Sequence, residues 1–134
     1  MEVICDPFNN ITITFVSLCS FDRPEGTPQI VNINADVVAG EIAAAIGAEK
    51  LIFLTDVIGV CDQSGKLLPR LSPAEAEVLI ASRVASGGMI PKINSCLRAL
   101  STATRTCIID GRESHALLEE MKGKGSGTAI GVQT

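Results

Sequence analysis

The feature of this sequence that most suggests ligand binding is a lysine that follows a pair of glycines. In the stretch SGGMIPK, Ser86–Lys92, the glycines allow the backbone to approach a ligand closely, and Lys92 falls near the start of a predicted helix. The positive end of the helix dipole disfavours a cation there, and a bound phosphate would remove that conflict. The alternative is a glycine linker followed by a surface lysine. The stretch is not a Walker A loop, because that motif's spacing is absent. The residues leave both interpretations open.

Three polar residues, Asn32, Asn34 and Asp36, stand at the beginning of an alanine-rich stretch that is predicted to be helical. Asn34 suits the N-cap position, where its side chain accepts a hydrogen bond from a free backbone N–H. Asp36 suits the first turn, because a carboxylate is favourable at the positive end of the helix dipole. The same groups could also contact a ligand. Capping and ligand binding therefore both remain as interpretations.

A predicted strand, KLIFLTD, ends in the polar residues Thr55 and Asp56, and Gly59 follows in a turn. In α/β sheets, ligands bind at the carboxyl ends of strands, in the loops that lead to helices. The segment from Thr55 to Val60 therefore suits the edge of a nucleotide pocket. The alternative is an ordinary turn at the end of a strand.

Two further motifs have weaker support as functional sites. His115 is the only histidine, and a single histidine is more often structural or exposed than a ligand or a base. The glycine-rich stretch Gly123–Thr128 fits neither the P-loop nor the G-x-G-x-x-G pattern, because Ile130 stands where the last glycine would be. A flexible turn before the final strand is the favoured interpretation.

The elements that must position these residues alternate between strand and helix patterns. A capping box, Ser72-Pro73-Ala74-Glu75, predicts a helix to about Ser82, and Gly47 suits the end of the preceding helix. Strands are predicted at KLIFLTD, RTCIID and TAIGV. Further helices are predicted after SGGMIP and at SHALLEEM. The stretch VIGVCDQSGKLLPRL is predicted to be a loop or a small hairpin. Before Asn32, ITITFVSL has a β pattern and FDRPEGTPQ has the composition of a loop. This order predicts a layered α/β/α sandwich with a largely parallel sheet.

Composition narrows the class of partner. At 134 residues, with 46% hydrophobic and 19% charged residues, one globular domain is expected. A net charge of −4 and the absence of Trp and Tyr argue against a nucleic-acid partner. No apolar run is long enough to span a membrane. Five irregularly spaced cysteines and one histidine predict free thiols and no metal centre.

Together these stretches resemble the N-acetyl-L-glutamate kinases of the amino acid kinase family, most of all the plant and cyanobacterial type. The resemblance is carried by NINADVVAGEIAAAIGAEKLIFLTDVIGV, SGGMIPK, IIDGRESHALLEE and the later GSGT, which occur in the family's order between about Asn32 and Gly131. It implies that residues 23–134 form the C-terminal, ATP-binding domain and that residues 1–22 are a divergent N-terminal segment. The chain departs from the family pattern at Glu113-Ser114, where Val-Pro is usual. It also lacks the family's N-terminal half, with the first phosphate loop and a second catalytic lysine.

The resemblance implies ATP-dependent phosphorylation of the side-chain carboxylate of N-acetyl-L-glutamate, a step of arginine biosynthesis, with MgATP as co-substrate. Lys92 would neutralise the transferred phosphoryl group, and Asp36 would hold the lysines that face the phosphates. Asn32 and Asn34 would contact acetylglutamate, and His115 would belong to an effector region. The residues implied at the nucleotide site are Thr55, Asp56, Val57, Gly59, Val60, Cys61, Val84, Ala85, Ser86, Gly88 and Met89.

Other functions remain open beside the kinase. The chain could be a non-catalytic nucleotide-binding or regulatory partner of an intact kinase, and an unrelated dinucleotide-binding oxidoreductase is disfavoured by the absence of G-x-G-x-x-G. A homo-oligomer, association with kinase subunits or a regulatory protein partner is expected by resemblance. The same resemblance predicts the chloroplast stroma as the location, with the cytoplasm as the alternative.

Overall fold

The structure, a computed structural model, describes the backbone of residues 2–5, 11–14, 18–22, 28–103 and 105–131, and the side chains from residue 33 onward within those ranges. The elements in chain order are β1 (Glu2–Cys5), β2 (Ile11–Thr14), β3 (Leu18–Asp22), β4 (Pro28–Asn32), α1 (Ala35–Ala45), β5 (Lys50–Thr55), β6 (Arg70–Leu71), α2 (Pro73–Ala81), α3 (Met89–Ala99), β7 (Arg105–Asp110), α4 (Ala116–Met121) and β8 (Thr128–Ile130). None of the helices within these ranges has the length and hydropathy that crossing a membrane requires.

Six strands form one sheet in the order β2-β1-β5-β7-β8-β6, and β3 pairs separately with β4. The pairs β5–β7 and β6–β8 are parallel, while β1–β2, β1–β5 and β7–β8 are antiparallel. The predicted α/β class is confirmed, and the sheet is mixed, with its parallel pairing at β5–β7 and β6–β8. Alternating strand and helix patterns do not fix strand direction at the edges. The connection from Cys5 to Ile11 is too short for a parallel crossover, so β1 and β2 run antiparallel.

Helices cover both faces of the sheet and give three layers. Leu51 and Phe53 of β5 pack in the larger core cluster with residues of α1, α2 and α3. Ile52 and Leu54 point to the opposite face, where they pack in a smaller cluster with Ala116 and Leu117 of α4. This alternation follows from the two-residue period of a strand. Burial of each large apolar side chain contributes about 1.5–3 kcal/mol relative to its exposure.

The helices α1 and α3 approach closely at Gly40. A Cβ atom at Gly40 would lie 2.8 Å from Ser95 Cβ and 2.9 Å from the Ser95 backbone oxygen. The absence of a side chain at position 40 therefore permits this helix spacing. One helical turn before Gly40 lies Asp36, and one turn before Ser95 lies Lys92, so the contact sets the separation of these two residues.

The helix ends follow the sequence predictions. Asn34 is the N-cap of α1, and its side chain accepts a hydrogen bond from the Asp36 backbone N–H at 2.9 Å. The capping box of α2 is complete: the Ser72 N–H donates to Glu75 Oε2 at 2.7 Å, and the Glu75 N–H donates to Ser72 Oγ at 3.3 Å. Gly47 has a φ of 64°, the left-handed conformation expected of a residue that follows a helix.

The segment between β5 and α2 contains the small hairpin that the sequence allows. Cys61 and Leu67 form an antiparallel bridge, and the Leu68 N–H donates to the Val60 carbonyl at 2.8 Å. Strand β6 follows and was not predicted, because two residues carry no periodic pattern. The ITIT part of the N-terminal β pattern is β2. The predicted loop FDRPEGTPQ is shorter than expected: Phe21 and Asp22 end β3, Pro28 begins β4, and residues 23–27 lie outside the described ranges.

Candidate functional site

A groove of 310 Å³ lies where the carboxyl end of β5 meets the N-terminus of α3. Strand-end residues form one wall, and the glycine turn with the first residues of α3 forms the other. The lining residues are Thr55, Asp56, Val57, Ser86, Gly88, Met89 and Lys92. The structure thus brings together the two stretches of sequence that were predicted to bind a nucleotide, although they are far apart in the chain.

Lys92 is the cation of this groove, and Asp36 is its partner. Lys92 Nζ lies 2.7 Å from Asp36 Oδ1, and the two side chains are 20% and 12% exposed. Asp36 belongs to the first turn of α1 and Lys92 to the first turn of α3, so both lie near the positive end of a helix dipole. That position favours the carboxylate and disfavours the ammonium. The carboxylate therefore offsets the unfavourable position of the lysine in the absence of an anion.

The two predicted acetylglutamate contacts are Asn34 and Asn32, and neither is shown to bind a ligand by the contacts that the structure describes. The Asn34 side chain is exposed and caps α1, which confirms the capping interpretation. Capping occupies Oδ1 of Asn34 and does not test a contact with a ligand. Asn32 ends β4, and its side chain lies outside the part of the chain that the structure describes. Substrate binding by both residues stays a prediction.

The Thr55 hydroxyl donates to Asp56 Oδ1 at 3.3 Å at the rim of the groove. Val57, also in the lining, is 40% exposed and offers apolar surface there, and Met89 is a second apolar residue of the lining. Polar strand-end groups beside exposed apolar side chains suit a ligand that combines a planar apolar part with polar and charged parts.

Five further residues predicted at the nucleotide site are not among those that line this groove within the described chain. Gly59, with a φ of 137°, is packed so tightly that a Cβ atom would lie 2.7 Å from Thr128 Oγ1. The Val60 N–H donates to that same oxygen at 2.8 Å, which joins the hairpin to β8. The other three are buried or half-buried: Cys61, Val84 and Ala85. The structure gives Gly59 and Val60 a packing role, and a nucleotide contact by these five residues stays a prediction.

Asp110 and Arg112 form an ion pair beside the groove that sequence reasoning missed. Asp110 is paired in register with Thr55, and the Gly111 N–H donates to the Thr55 carbonyl at 2.8 Å. Arg112 donates from Nε to Asp110 Oδ1 at 2.9 Å and from Nη2 to Oδ2 at 2.7 Å. These bonds lower the pKa of Asp110 to about 2. The signal that could have found the pair is an acid at the carboxyl end of a predicted strand with an arginine two residues later.

A second cluster lies at the opposite end of the sheet, where β5 and β7 begin. Glu120 Oε1 lies 3.3 Å from Lys50 Nζ and 3.9 Å from Arg105 Nη2, and Cys107 Sγ lies 3.1 Å from the same oxygen. Burial, together with the charge of Glu120, raises the pKa of Cys107 to about 12, so the thiol is protonated at neutral pH. This cluster could not be predicted from the sequence, since nothing in the sequence distinguishes Glu120 from the adjacent Glu119.

The glycine-rich loop lies next to this second cluster. It helps to line a groove of 290 Å³ whose other residues include Arg70 and Arg105. Gly123 has a φ of 76°, and a Cβ atom at Gly127 would overlap the Ile108 backbone oxygen. The loop is therefore a tight turn before β8, where the sequence predicts a turn, and its predicted flexibility stays a prediction. Gly125 lies against Glu120, while Gly127 packs against Ile108 and Ile109 of β7. No described residue of the loop is among those that line the Lys92 groove.

His115 and the cysteines have no catalytic partners in the described part of the chain. His115 is exposed, has a φ of 61° and precedes α4 without a side-chain capping bond. Cys61, Cys96 and Cys107 are free thiols, as predicted. Within the described ranges, no group of three His, Cys, Asp or Glu residues could hold a metal ion. A magnesium ion at the Lys92 groove would be bound mainly by the phosphates and water of a nucleotide, as is usual for Mg²⁺.

The chain is similar in sequence to curated acetylglutamate kinases. The chain is 48% identical over 123 residues to an acetylglutamate kinase from Dehalococcoides mccartyi, an overlap that covers 90% of this chain and 45% of that protein. It is 50% identical over 112 residues to an acetylglutamate kinase from Nostoc punctiforme, which covers 80% of this chain and 37% of that one. The chain thus spans less than half the length of the curated relatives it matches.

Structural similarity extends to N-acetylglutamate synthase from Neisseria gonorrhoeae, solved with coenzyme A and L-arginine. The TM-score is 0.72 at 29% identity, over 83% of this chain and 26% of that one. The sequence profile of the amino acid kinase family matches residues 7–110, which include both walls of the Lys92 groove and the Asp36–Lys92 pair. The chain therefore belongs to the amino acid kinase family.

Proposed function

We propose that this chain is the nucleotide-binding half of an N-acetyl-L-glutamate kinase, which uses MgATP to phosphorylate the side-chain carboxylate of N-acetyl-L-glutamate in arginine biosynthesis. The observation that carries the proposal is the Asp36–Lys92 ion pair, at 2.7 Å, beside a groove at the carboxyl end of β5. The carboxyl ends of strands are where α/β sheets bind ligands. The identity of 48–50% to acetylglutamate kinases supports the choice of substrate.

Phosphoryl transfer requires positioning and neutralisation of charge, and no covalent nucleophile from the protein. An acceptor carboxylate oxygen attacks the γ-phosphorus while the bond from that phosphorus to the β–γ bridging oxygen breaks. The products are an acyl phosphate and ADP. In this proposal Lys92 stabilises the negative charge on the phosphoryl oxygens, and Asp36 holds the lysine in place.

The two walls of the groove give the proposed roles of the other residues. Thr55, Asp56 and Val57 would contact the nucleoside part, and the Ser86–Met89 turn would place backbone N–H groups near the phosphates. Asn32 and Asn34 would contact acetylglutamate from the entry to α1. The nucleotide-binding domain in this proposal comprises residues 23–134.

Trapping of the acyl phosphate with hydroxylamine tests the proposal. The assay pairs this chain, as the nucleotide-binding half, with the separately expressed amino-terminal half of a related acetylglutamate kinase. We expect MgATP-dependent hydroxamate from N-acetyl-L-glutamate by the pair and none from L-glutamate, with loss of product in Lys92→Ala. Lys122→Ala is the matched control, because Lys122 is 51% exposed and pairs only with Glu119 among the contacts in the described chain. Nucleotide binding without product would favour the alternative, a non-catalytic nucleotide-binding or regulatory partner of an intact kinase. Neither binding nor product by a folded chain would overturn the proposal.

Assembly and location are further parts of the proposal. As in the plant-type enzymes it resembles, the chain would form a homo-oligomer or associate with kinase subunits and a regulatory protein, in the chloroplast stroma. Light scattering of the purified chain tests the oligomer, and immunoblots of fractionated cells distinguish the stroma from the cytoplasm.

A further inference from the structure

Phe53 places an aromatic ring next to the lysine of the candidate site. It belongs to β5, is 1% exposed, and packs on the side of the sheet that α1 and α3 cover. Lys92 Nζ lies 5.7 Å from the centre of its ring. This distance is within the range in which the face of an aromatic ring attracts a cation.

Three elements therefore meet at one ammonium group. Helix α3 carries Lys92, helix α1 supplies the Asp36 carboxylate at 2.7 Å, and strand β5 supplies the Phe53 ring. Carboxylate and ring together restrict the position of a side chain that is otherwise long and flexible. An ammonium has three N–H donors, and Asp36 is the one hydrogen-bond acceptor that contacts them among the described residues.

The chemical difference between the two partners matters at an anion site. A second carboxylate beside Lys92 would also restrict its position, but it would give the cluster a net negative charge that repels phosphate. An aromatic ring attracts the cation through its quadrupole and carries no net charge. A leucine at position 53 would fill much of the volume without this attraction.

We infer that Phe53 is a positioning residue for Lys92: with Asp36 it fixes the ammonium at the groove without adding negative charge there. The inference rests on the proposed function, in which Lys92 contacts the phosphates of a nucleotide. Nothing in the comparisons or in the sequence motifs assigns a role to this position other than a place in the core.

The test combines a spectroscopic signature with an affinity. Protons of the Lys92 side chain above a ring are shielded, so their NMR resonances should lie upfield of those of the other lysines. Their assignment follows from the signal that disappears in Lys92→Arg. In Phe53→Leu the upfield shift should vanish, and the affinity for a non-hydrolysable MgATP analogue should fall about three- to tenfold. Ile52→Val is the control, since Ile52 is buried in the same strand but faces the α4 side of the sheet.

The outcomes separate the two proposals. Loss of the shift together with weaker binding in Phe53→Leu, and neither change in Ile52→Val, supports the inference. An unshifted Lys92 in the wild type, or equal nucleotide affinities of the Phe53→Leu and Ile52→Val variants, overturns it. If the wild type shows the upfield shift and binds no nucleotide, the proposed function fails, and with it the phosphate role of Phe53, while the contact between ring and ammonium stands.

Discussion

At the scale of single residues, two ion pairs join α1 to α3, and only one of them lies at the groove. Asp36–Lys92 is mostly buried, whereas Arg98 and Glu41 are 51% and 56% exposed at a similar distance of 2.8 Å. Because solvent screens exposed pairs, the second pair should contribute little to stability. The first pair is shielded from solvent, and removal of one partner leaves the other charge without compensation.

This difference predicts the effect of matched substitutions on folding. Asp36→Asn should lower the free energy of unfolding by about 1–3 kcal/mol, because the Lys92 ammonium loses its charged partner. Glu41→Gln should change it by less than about 0.5 kcal/mol. Urea unfolding followed by circular dichroism measures both. Equal effects of the two substitutions would contradict the distinction between the pairs.

Asp110 predicts a specific dependence of stability on pH. Its pKa is lowered from 3.8 to about 2 by the hydrogen bonds from Arg112. A lowered carboxyl pKa stabilises the folded chain above the unfolded pKa, and this contribution is lost as the pH falls from about 3.8 through about 2. Carbon-13 NMR titration of the carboxyl group should give a midpoint near 2 in the wild type and a higher one in Arg112→Gln. A midpoint near 3.8 in the wild type would exclude the bidentate pair in solution.

At the scale of elements, the spacing of α1 and α3 determines the geometry of the site. Gly40 permits that spacing, since a Cβ atom there would lie within 2.9 Å of both the Cα and the backbone oxygen of Ser95. Backbone atoms cannot move aside as the end of a flexible side chain can. A larger residue at position 40 must therefore push the helices apart and lengthen the Asp36–Lys92 contact.

The series Gly40→Ala and Gly40→Val tests this argument. Overpacking costs about 1–3 kcal/mol, which outweighs the gain of roughly 1 kcal/mol in helix propensity that alanine brings. The free energy of unfolding, measured by urea unfolding, should fall in Gly40→Ala and fall further in Gly40→Val. The affinity for the nucleotide, measured by calorimetric titration, should fall in the same order. A Gly40→Ala variant more stable than the wild type would show that propensity dominates and that the helices are not in close contact.

The elements themselves were largely predictable from the sequence. The capping box at Ser72, the cap at Asn34 and the glycine at position 47 are local signals, and all three helix ends are where those signals place them. Strand directions at the sheet edges were not predictable, because they depend on which strands pair across the whole chain. Strand β6 was too short to detect, and α4 begins at Ala116, just after the left-handed His115.

At the scale of the whole molecule, the candidate site joins segments that are far apart in sequence. Lys92 and the Thr55–Val57 segment were identified from residue types. Both line one groove, at the carboxyl end of a strand, where ligands bind in α/β sheets. The roles of Asp36 and of the substrate asparagines came from family resemblance. The role of Phe53 could not be assigned from the sequence, because it depends on a lysine that only the fold brings next to the ring. The Asp110–Arg112 pair was missed although its two residues are neighbours in the sequence.

Nucleotide binding should also stabilise the molecule as a whole. A ligand that binds only the folded chain adds about 2.7 kcal/mol of stability at a concentration 100 times its Kd. For a domain of this size that corresponds to a rise in Tm of roughly 5–15 °C. We expect such a rise with a MgATP analogue for the wild type and for Lys122→Ala, and a smaller one for Lys92→Ala. Differential scanning calorimetry makes the measurement, and a constant Tm in all three would argue against a nucleotide site.

The most direct test of the central claim, that the Lys92 groove holds the phosphates of a nucleotide, is calorimetric titration of the purified chain with a non-hydrolysable MgATP analogue. We predict binding by the wild type and by Lys122→Ala, and binding about 10- to 100-fold weaker by Lys92→Ala, because a charge-assisted hydrogen bond is lost. Absence of binding by a folded wild-type chain, or equal affinities of the wild type and Lys92→Ala, would contradict the claim.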